Sequence, residues 1–257
     1  MSERGNLKDY YNKLYSEDKD KEWIDFQKAS DGLTESHKFI VDSLKEKNFK
    51  AESIMDFGCG RGEFLHYFKD MPTKKGIDFS EVAIDFAKKT YKDIDFILGD
   101  ETAVEGFYEL VTSVGVIEHV DDPRRLFNAL YGATKPGGLL YIVCPNHANV
   151  RGVVWQTLSL LFNVPMSLAD KHVINYSDIK KWAGDSAEIE FESLSDDVSM
   201  GPGMVVDLKK RLTNALRDAK MDNSNVDKLL EWLENNRKFF LSGPKNGWHA
   251  VYIISKK

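Results

Sequence analysis

The sequence predicts an α/β fold: a mostly parallel sheet with helices on both faces and a helical insertion before the last strand. Three observations carry this. Short apolar runs alternate with amphipathic stretches from Glu52 to Asn146. The first of these runs ends directly in a glycine loop, Gly58-Cys59-Gly60-Arg61-Gly62. Successive runs end in acids, Asp78 and Asp100. Strands that alternate with helices at this spacing form parallel sheets, and continuous apolar strands are those covered on both faces.

The elements follow in order. Residues Leu7 to Ser43 read as two helical segments broken at Asp31-Gly32, with Tyr10, Tyr11, Leu14 and Tyr15 at helical spacing. This cluster either packs on the core or forms a lid, and residues 1–50 are read as an N-terminal helical lid. Ser53 to Phe57 is the first strand, and Phe64 to Phe68 open a helix behind the glycines. A second strand runs from Lys75 to Asp78, a helix from Glu81 to Thr90, and a third strand from Asp95 to Leu98. A fourth strand spans Glu109 to Val114. Asp121-Asp122-Pro123 opens the next helix, with an Asp cap and Pro in the first turn. Lys135-Pro136-Gly137-Gly138 is a turn, and Leu139 to Cys144 a fifth strand.

The second half is less regular. Val153 to Val164 is apolar, too short to span a bilayer, and reads as a buried helix. Ser177 to Ala183 is a short helix with Ser177 as its cap, and Glu188 to Leu194 a strand. Val205 to Lys220 and Val226 to Phe240 are amphipathic helices, and His249 to Ser255 is the final strand. The whole chain, 1–257, reads as one domain, with residues 146–176 and 195–246 as insertions on the substrate side.

Composition narrows the function. The chain has 257 residues, 42% hydrophobic and 30% charged, as in an ordinary soluble domain. Its net charge of −6 gives no general affinity for nucleic acid or anionic membrane. The two cysteines, Cys59 and Cys144, are far apart and form no CxxC, which fits a reducing cytoplasm rather than a disulfide framework or a cysteine zinc site. The N-terminal residues carry no apolar signal core. These features predict a cytoplasmic protein with no membrane partner, a monomer or homodimer.

The glycine loop sets the ligand class. A dinucleotide site uses GxGxxG, because a pyrophosphate rests on free amides at the helix N-terminus. Here the spacing is GxGxG, and Glu63 stands where the third dinucleotide glycine belongs. That carboxylate repels phosphate, as does Asp56 two residues before the first glycine. No GK[ST] follows, which excludes a P-loop. S-adenosylmethionine carries no phosphate; its ammonium, ribose diol and adenine amine suit acids and backbone carbonyls. Asp78 stands where an acid takes a ribose diol, and Asp100 where one accepts an exocyclic amine.

The run Ile54 to Gly62 resembles the first motif of class I S-adenosylmethionine-dependent methyltransferases, Rossmann-like enzymes whose small-molecule branch includes ubiquinone-pathway members. Gly76-Ile77-Asp78-Phe79-Ser80 is similar to their second motif, and Leu98-Gly99-Asp100 to their third. Val114 to Val120 resembles the segment after the fourth strand, which commonly ends in Glu-His, here Glu118-His119. Lys135 to Gly138 resembles the turn before the fifth strand. The resemblance covers roughly Tyr10 to Asn146 and the last strand. It implies a seven-stranded sheet with an antiparallel last strand. It also implies a cofactor site made by Asp56, Gly58, Cys59, Gly60, Gly62, Asp78, Phe79, Asp100, Glu101, Val114 and Gly115. Gly115 departs from relatives that carry a larger residue there.

Methyl transfer is an in-line displacement in which alignment alone supplies roughly 7–11 kcal/mol. A hydroxyl acceptor gains a further 10²–10⁴-fold, roughly, from a base. His119 and His172 are the catalytic candidates, with His147 behind them; each has a plain structural reading too. Glu118, His119 and His172 also suggest a metal site, but a companion acid is replaced by Gly115, so no metal is expected. The expected activity is methylation of a small-molecule hydroxyl, on a sugar, quinone or secondary metabolite. An RNA 2′-O-methyltransferase would need a basic stripe, best offered by Lys209, Lys210, Arg211, Arg217 and Lys220, which Asp207 and Asp218 dilute. A non-catalytic S-adenosylmethionine-binding subunit is the third reading.

Overall fold

A computed structural model of the chain describes residues 12, 33–164, 170–194, 202–236 and 245–257. In chain order these form α1 (Glu35–Glu46), β1 (Ser53–Phe57), α2 (Glu63–Tyr67), β2 (Thr73–Asp78), α3 (Glu81–Thr90), β3 (Asp95–Leu98), β4 (Tyr108–Val114), α4 (Pro123–Ala133), β5 (Thr134–Pro145), α5 (Val150–Phe162), α6 (Tyr176–Ala183), β6 (Ala187–Leu194), α7 (Pro202–Asp218), α8 (Val226–Asn236) and β7 (His249–Lys256). The strands make one seven-stranded sheet in the order β3-β2-β1-β4-β5-β7-β6. β1 to β5 pair in parallel, while β7 runs antiparallel to both β5 and β6.

Alternation along the strands divides the core into two layers. Met55, Val111, Leu140 and Ile142 face Leu126, Phe127 and Leu130 of α4 and Ile179 of α6. Ile54, Leu110, Tyr141 and Val143 face Ile40 and Leu44 of α1, Phe64 and Leu65 of α2, and Ile84 of α3. The Tyr141 hydroxyl meets Ser43 Oγ at 2.9 Å, so even this buried polar atom is satisfied. A third, smaller core belongs to the insertions. Trp155 and Val164 pack with Leu208, Leu212 and Ala215 of α7 and with Val226, Leu230 and Leu233 of α8. The two insertions therefore form one helical cap.

Several expectations need correction. The Val153–Val164 helix is not buried: Val153 is 64% exposed, Leu160 75%, Leu161 71% and Phe162 53%. Only one side of α5 meets the cap, because α7 and α8 supply a single facing layer. The turn at residues 135–138 is a bulge inside β5: Tyr108 pairs with Thr134 and Leu110 with Leu139, so these four residues oppose Glu109 alone. α6 is capped not by Ser177 but by Asn175, whose backbone N–H donates to Asp178 Oδ2 at 3.0 Å. The Asp122 cap of α4 is as expected, its carboxylate accepting Arg125 N–H at 3.0 Å. Most of the N-terminal lid lies outside the described residues, including Tyr10, Tyr11, Leu14 and Tyr15, and so does the end of the Val226–Phe240 helix. Among the described residues no helix is long and apolar enough to cross a membrane.

Candidate functional site

The carboxyl ends of β1, β2, β3, β4 and β5 share one edge, where open α/β sheets hold ligands. The glycine loop is built into it by backbone bonds. Gly58 and Cys59 donate their N–H groups to Ile77 O at 2.7 and 3.1 Å, and Gly62 donates to Cys59 O at 3.0 Å. Gly58 has φ +81°, and a Cβ there would lie 2.2 Å from Val116 Cγ2. Only glycine fits.

The acids hold different posts. Asp78 accepts Gly60 N–H at 2.9 Å and Ser80 N–H at 2.8 Å, so its carboxylate braces the loop from below. Burial pushes its pKa up against those bonds. Ser80 Oγ donates to Asn12 Oδ1 at 2.8 Å, which brings one N-terminal residue to the end of β2. Asp56 is buried within the sheet and accepts Thr112 Oγ1 at 2.6 Å. Burial raises its pKa to about 7, so it shapes the loop from inside rather than meeting solvent. Cys59 is likewise buried, its thiol pushed up by burial and donating to Gly60 O at 3.7 Å within the loop. Phe79 is half-buried beside them. Asp100 is exposed at the end of β3 and accepts Thr102 N–H at 2.9 Å. Glu101 pairs with Arg125 at 3.3 Å. Val114 is half-buried; Gly115 is exposed, has φ +68° and donates to Val143 O at 2.8 Å.

Beyond β4 lies a cluster that sequence reasoning reached only in part. His119 Nδ1 is 3.4 Å from Asp170 Oδ1, and His119 Nε2 is 3.7 Å from Glu118 Oε1. Glu118 is 3% exposed, and burial, with Asp170 nearby, lifts its carboxyl to about 8. Its Oε2 is buried without a hydrogen-bond partner among the described residues. Donor atoms of Glu118, His119 and Asp170 lie within 4.8 Å of one another, a set able to hold a divalent cation. Asp170 reaches the cluster because Lys171 and His172 donate their backbone N–H groups to Glu118 O at 2.9 and 3.1 Å. His172 is thus tied to the site by its backbone, while Lys171 beside it donates to Asp121 at 2.5 Å and lowers that acid's pKa. Asp170 had no sequence signal beyond its place two residues before His172. Arg211 of α7 approaches Asp170 Oδ2 at 4.0 Å, so the cap touches the cluster.

Among the described residues, a Cβ at Gly115 would meet nothing within 4 Å except Glu118 Oε1, at 4.0 Å, which leaves open space beside Glu118. His147, past the end of β5, is buried, which lowers its pKa to about 4. With Val153, Gln156, Thr157, Leu160 and Leu161 it lines a groove of about 310 Å³ along α5.

The donor set suits the cofactor inferred from the sequence. The loop glycines, an acid below them and an exposed acid at β3 offer carboxylates and backbone groups where the strands end. Part of the basic stripe is paired with acids: Lys209 with Asp227 at 2.9 Å and Arg217 with Asp218 at 3.1 Å.

Comparison with known proteins agrees with this fold. Residues 32–194 match the family model described as a methyltransferase domain. The mitochondrial ubiquinone biosynthesis O-methyltransferase of Schizosaccharomyces pombe is 30% identical over 116 residues, 40% of this chain and 42% of that one. The chain spans about half the length of the curated relatives it matches, from 42% to 62%. Among solved structures, the methyltransferase of Haloferax volcanii in complex with the Trm112 methyltransferase activator superposes with a TM-score of 0.60 at 15% identity, covering 96% of this chain and 97% of that one. The plantazolicin methyltransferase BpumL, bound to a desmethyl analogue and SAH, gives 0.54 at 18% identity over 98% and 96%. At such identities these structures speak for the fold alone. With the family model matched over more than half its length, the chain belongs to the class I S-adenosylmethionine-dependent methyltransferases.

Proposed function

We propose that this protein transfers a methyl group from S-adenosylmethionine to a hydroxyl of a small molecule. The observation that carries the reading is His119, an imidazole held between Asp170 and Glu118, the residue that borders the open space at Gly115. Asp78 would take the ribose hydroxyls, and Asp100 and Glu101 would flank the adenine. Gly58, Gly60 and Gly62, with the Val114 or Gly115 carbonyl, would line the methionine part. When bound, the sulfonium supplies an activated methyl and a good leaving group. The chain must then align the acceptor, exclude water and take up one proton. His119 is the base that fits this task, and His172, half-buried on the segment beside it, is the second candidate. The groove along α5 is read as one wall of the acceptor pocket. A quinone or other neutral ring suits it, because the described residues that line it carry no Asp, Glu, Lys or Arg. The similar ubiquinone biosynthesis O-methyltransferases support an acceptor of this class.

The acids beside Lys209 and Arg217 on this face, Asp227 and Asp218, count against RNA as acceptor, since they dilute the positive field a phosphate track needs. The test is transfer of labelled methyl from S-adenosylmethionine to a panel of phenols, sugars and RNA. Product is expected with a neutral hydroxylated acceptor and not with RNA. His119→Gln should lower kcat by roughly 10²–10⁴-fold with cofactor affinity unchanged; equal turnover removes His119 as base.

A further inference from the structure

We propose that Asn12 is a positioning residue for the cofactor: it takes the Ser80 hydroxyl proton and so keeps the Asp78 carboxylate open to the ribose diol. The inference rests on the reading of Asp78 as the ribose acid. Ser80 follows the end of β2 by two residues and is 0% exposed. A serine out of reach of water has four groups to satisfy within the chain. Its N–H donates to Asp78 Oδ1 at 2.8 Å. Its carbonyl accepts Ile84 N–H at 3.0 Å, and its Oγ accepts Ala83 N–H at 3.3 Å, which caps α3. The hydroxyl proton is the fourth. It goes to Asn12 Oδ1 at 2.8 Å, across 68 positions of chain. The first three bonds stay between the end of β2 and the start of α3. The fourth alone reaches another part of the chain.

Without Asn12, that proton has Asp78 to turn to, the acid that the Ser80 backbone already touches. A carboxylate offers about four acceptor positions. The Gly60 N–H takes one on Oδ2 at 2.9 Å, the Ser80 N–H takes one on Oδ1, and the Phe79 amide bears on the same group. A ribose diol brings two hydroxyl donors and needs what remains. A Ser80 hydroxyl turned toward Asp78 would fill one of those positions, and solvent could not relieve it. Asn12 removes the competitor. A carboxamide also does this without charge, whereas a second carboxylate beside Asp78 would favour protonation of both.

The test compares two ligands by titration calorimetry: S-adenosylhomocysteine and its 2′,3′-dideoxyribose analogue. Asn12 is half-buried, and Asn12→Leu keeps its size while removing the acceptor. The variant should bind S-adenosylhomocysteine roughly three- to tenfold more weakly than wild type, with affinity for the analogue within about twofold. A loss of that form is a loss of ribose preference, which general loosening of the site would not give. Adding Ser80→Ala to Asn12→Leu deletes the competing proton, so the double variant should regain most of the preference. Equal weakening toward both ligands, unchanged affinity in Asn12→Leu, or a preference that stays low in the double variant overturns the proposal while leaving Asp78 as the ribose acid. Should the double variant not fold, the ratio of the two affinities in Asn12→Leu decides alone. A wild-type chain that does not prefer the ribose ligand removes Asp78 from that post, and this inference with it.

Discussion

The carboxyl edge of the sheet and the helical cap above it are made by different rules. At the edge, the polar groups around the glycine loop are fixed by partners on a neighbouring strand or loop: Asp78 by two loop amides, Asp56 by Thr112, the Gly58 and Cys59 amides by Ile77. In the cap, three helices share one small apolar core, and the far side of α5 stays uncovered. The edge has no room for alternatives, so it can present a cofactor in one geometry. The cap has spare surface, so it can change what it covers without disturbing the edge.

Substitutions in the two regions sharpen this contrast. Gly58→Ala places a Cβ into Val116 in a left-handed backbone. It should cost on the order of 2–5 kcal/mol in urea unfolding and weaken cofactor binding with it. In the cap, Leu230→Ala empties part of the small core and should cost about 2–5 kcal/mol of local stability. Hydrogen exchange should place that loss in α5, α7 and α8, with the strands unchanged. Uniform loss across strands and cap would mean one cooperative unit and would break the contrast. Leu161→Ser, on the exposed side of α5, should change stability by no more than about 0.5 kcal/mol while raising KM for an apolar acceptor. A KM left unchanged removes α5 from the acceptor pocket.

A pH test separates the cluster from both. Glu118 titrates near 8 in the folded chain against an ordinary 4.5, so the native state holds a proton that the unfolded chain has released. Stability contributed by this group falls as pH rises through that window. His147 and His249, with pKa values lowered to about 4 by burial, contribute the opposite slope, but only below 6.5. Urea midpoints should therefore fall between pH 6.5 and 8, and Glu118→Gln should flatten that fall. Asp56, near 7, keeps part of the slope. An identical slope in the variant would place the Glu118 proton elsewhere.

The same contrast explains what could be read from the sequence. Strand ends, the glycine loop and the Asp122 cap follow local rules of spacing and backbone geometry, and β1, α3 and β3 begin and end where the periodicity puts them. The Glu118-His119 pair was legible because it adjoins a strand end. Asp170 was not, because its approach depends on two backbone bonds, from Lys171 and His172 to Glu118, that join segments far apart in the chain and that no periodicity encodes. The exposure of α5 escaped for a similar reason. An apolar run reports that a helix avoids water, not whether its partners are wide enough to cover it.

The central claim is that carboxylates at the strand ends grip a phosphate-free adenosyl cofactor. Titration calorimetry with S-adenosylmethionine, and with NAD as the contrast, tests it most directly. One molecule of S-adenosylmethionine should bind per chain, at least tenfold more weakly in Asp78→Asn, and NAD should give no heat. Binding of NAD, or an S-adenosylmethionine affinity indifferent to Asp78, would contradict it.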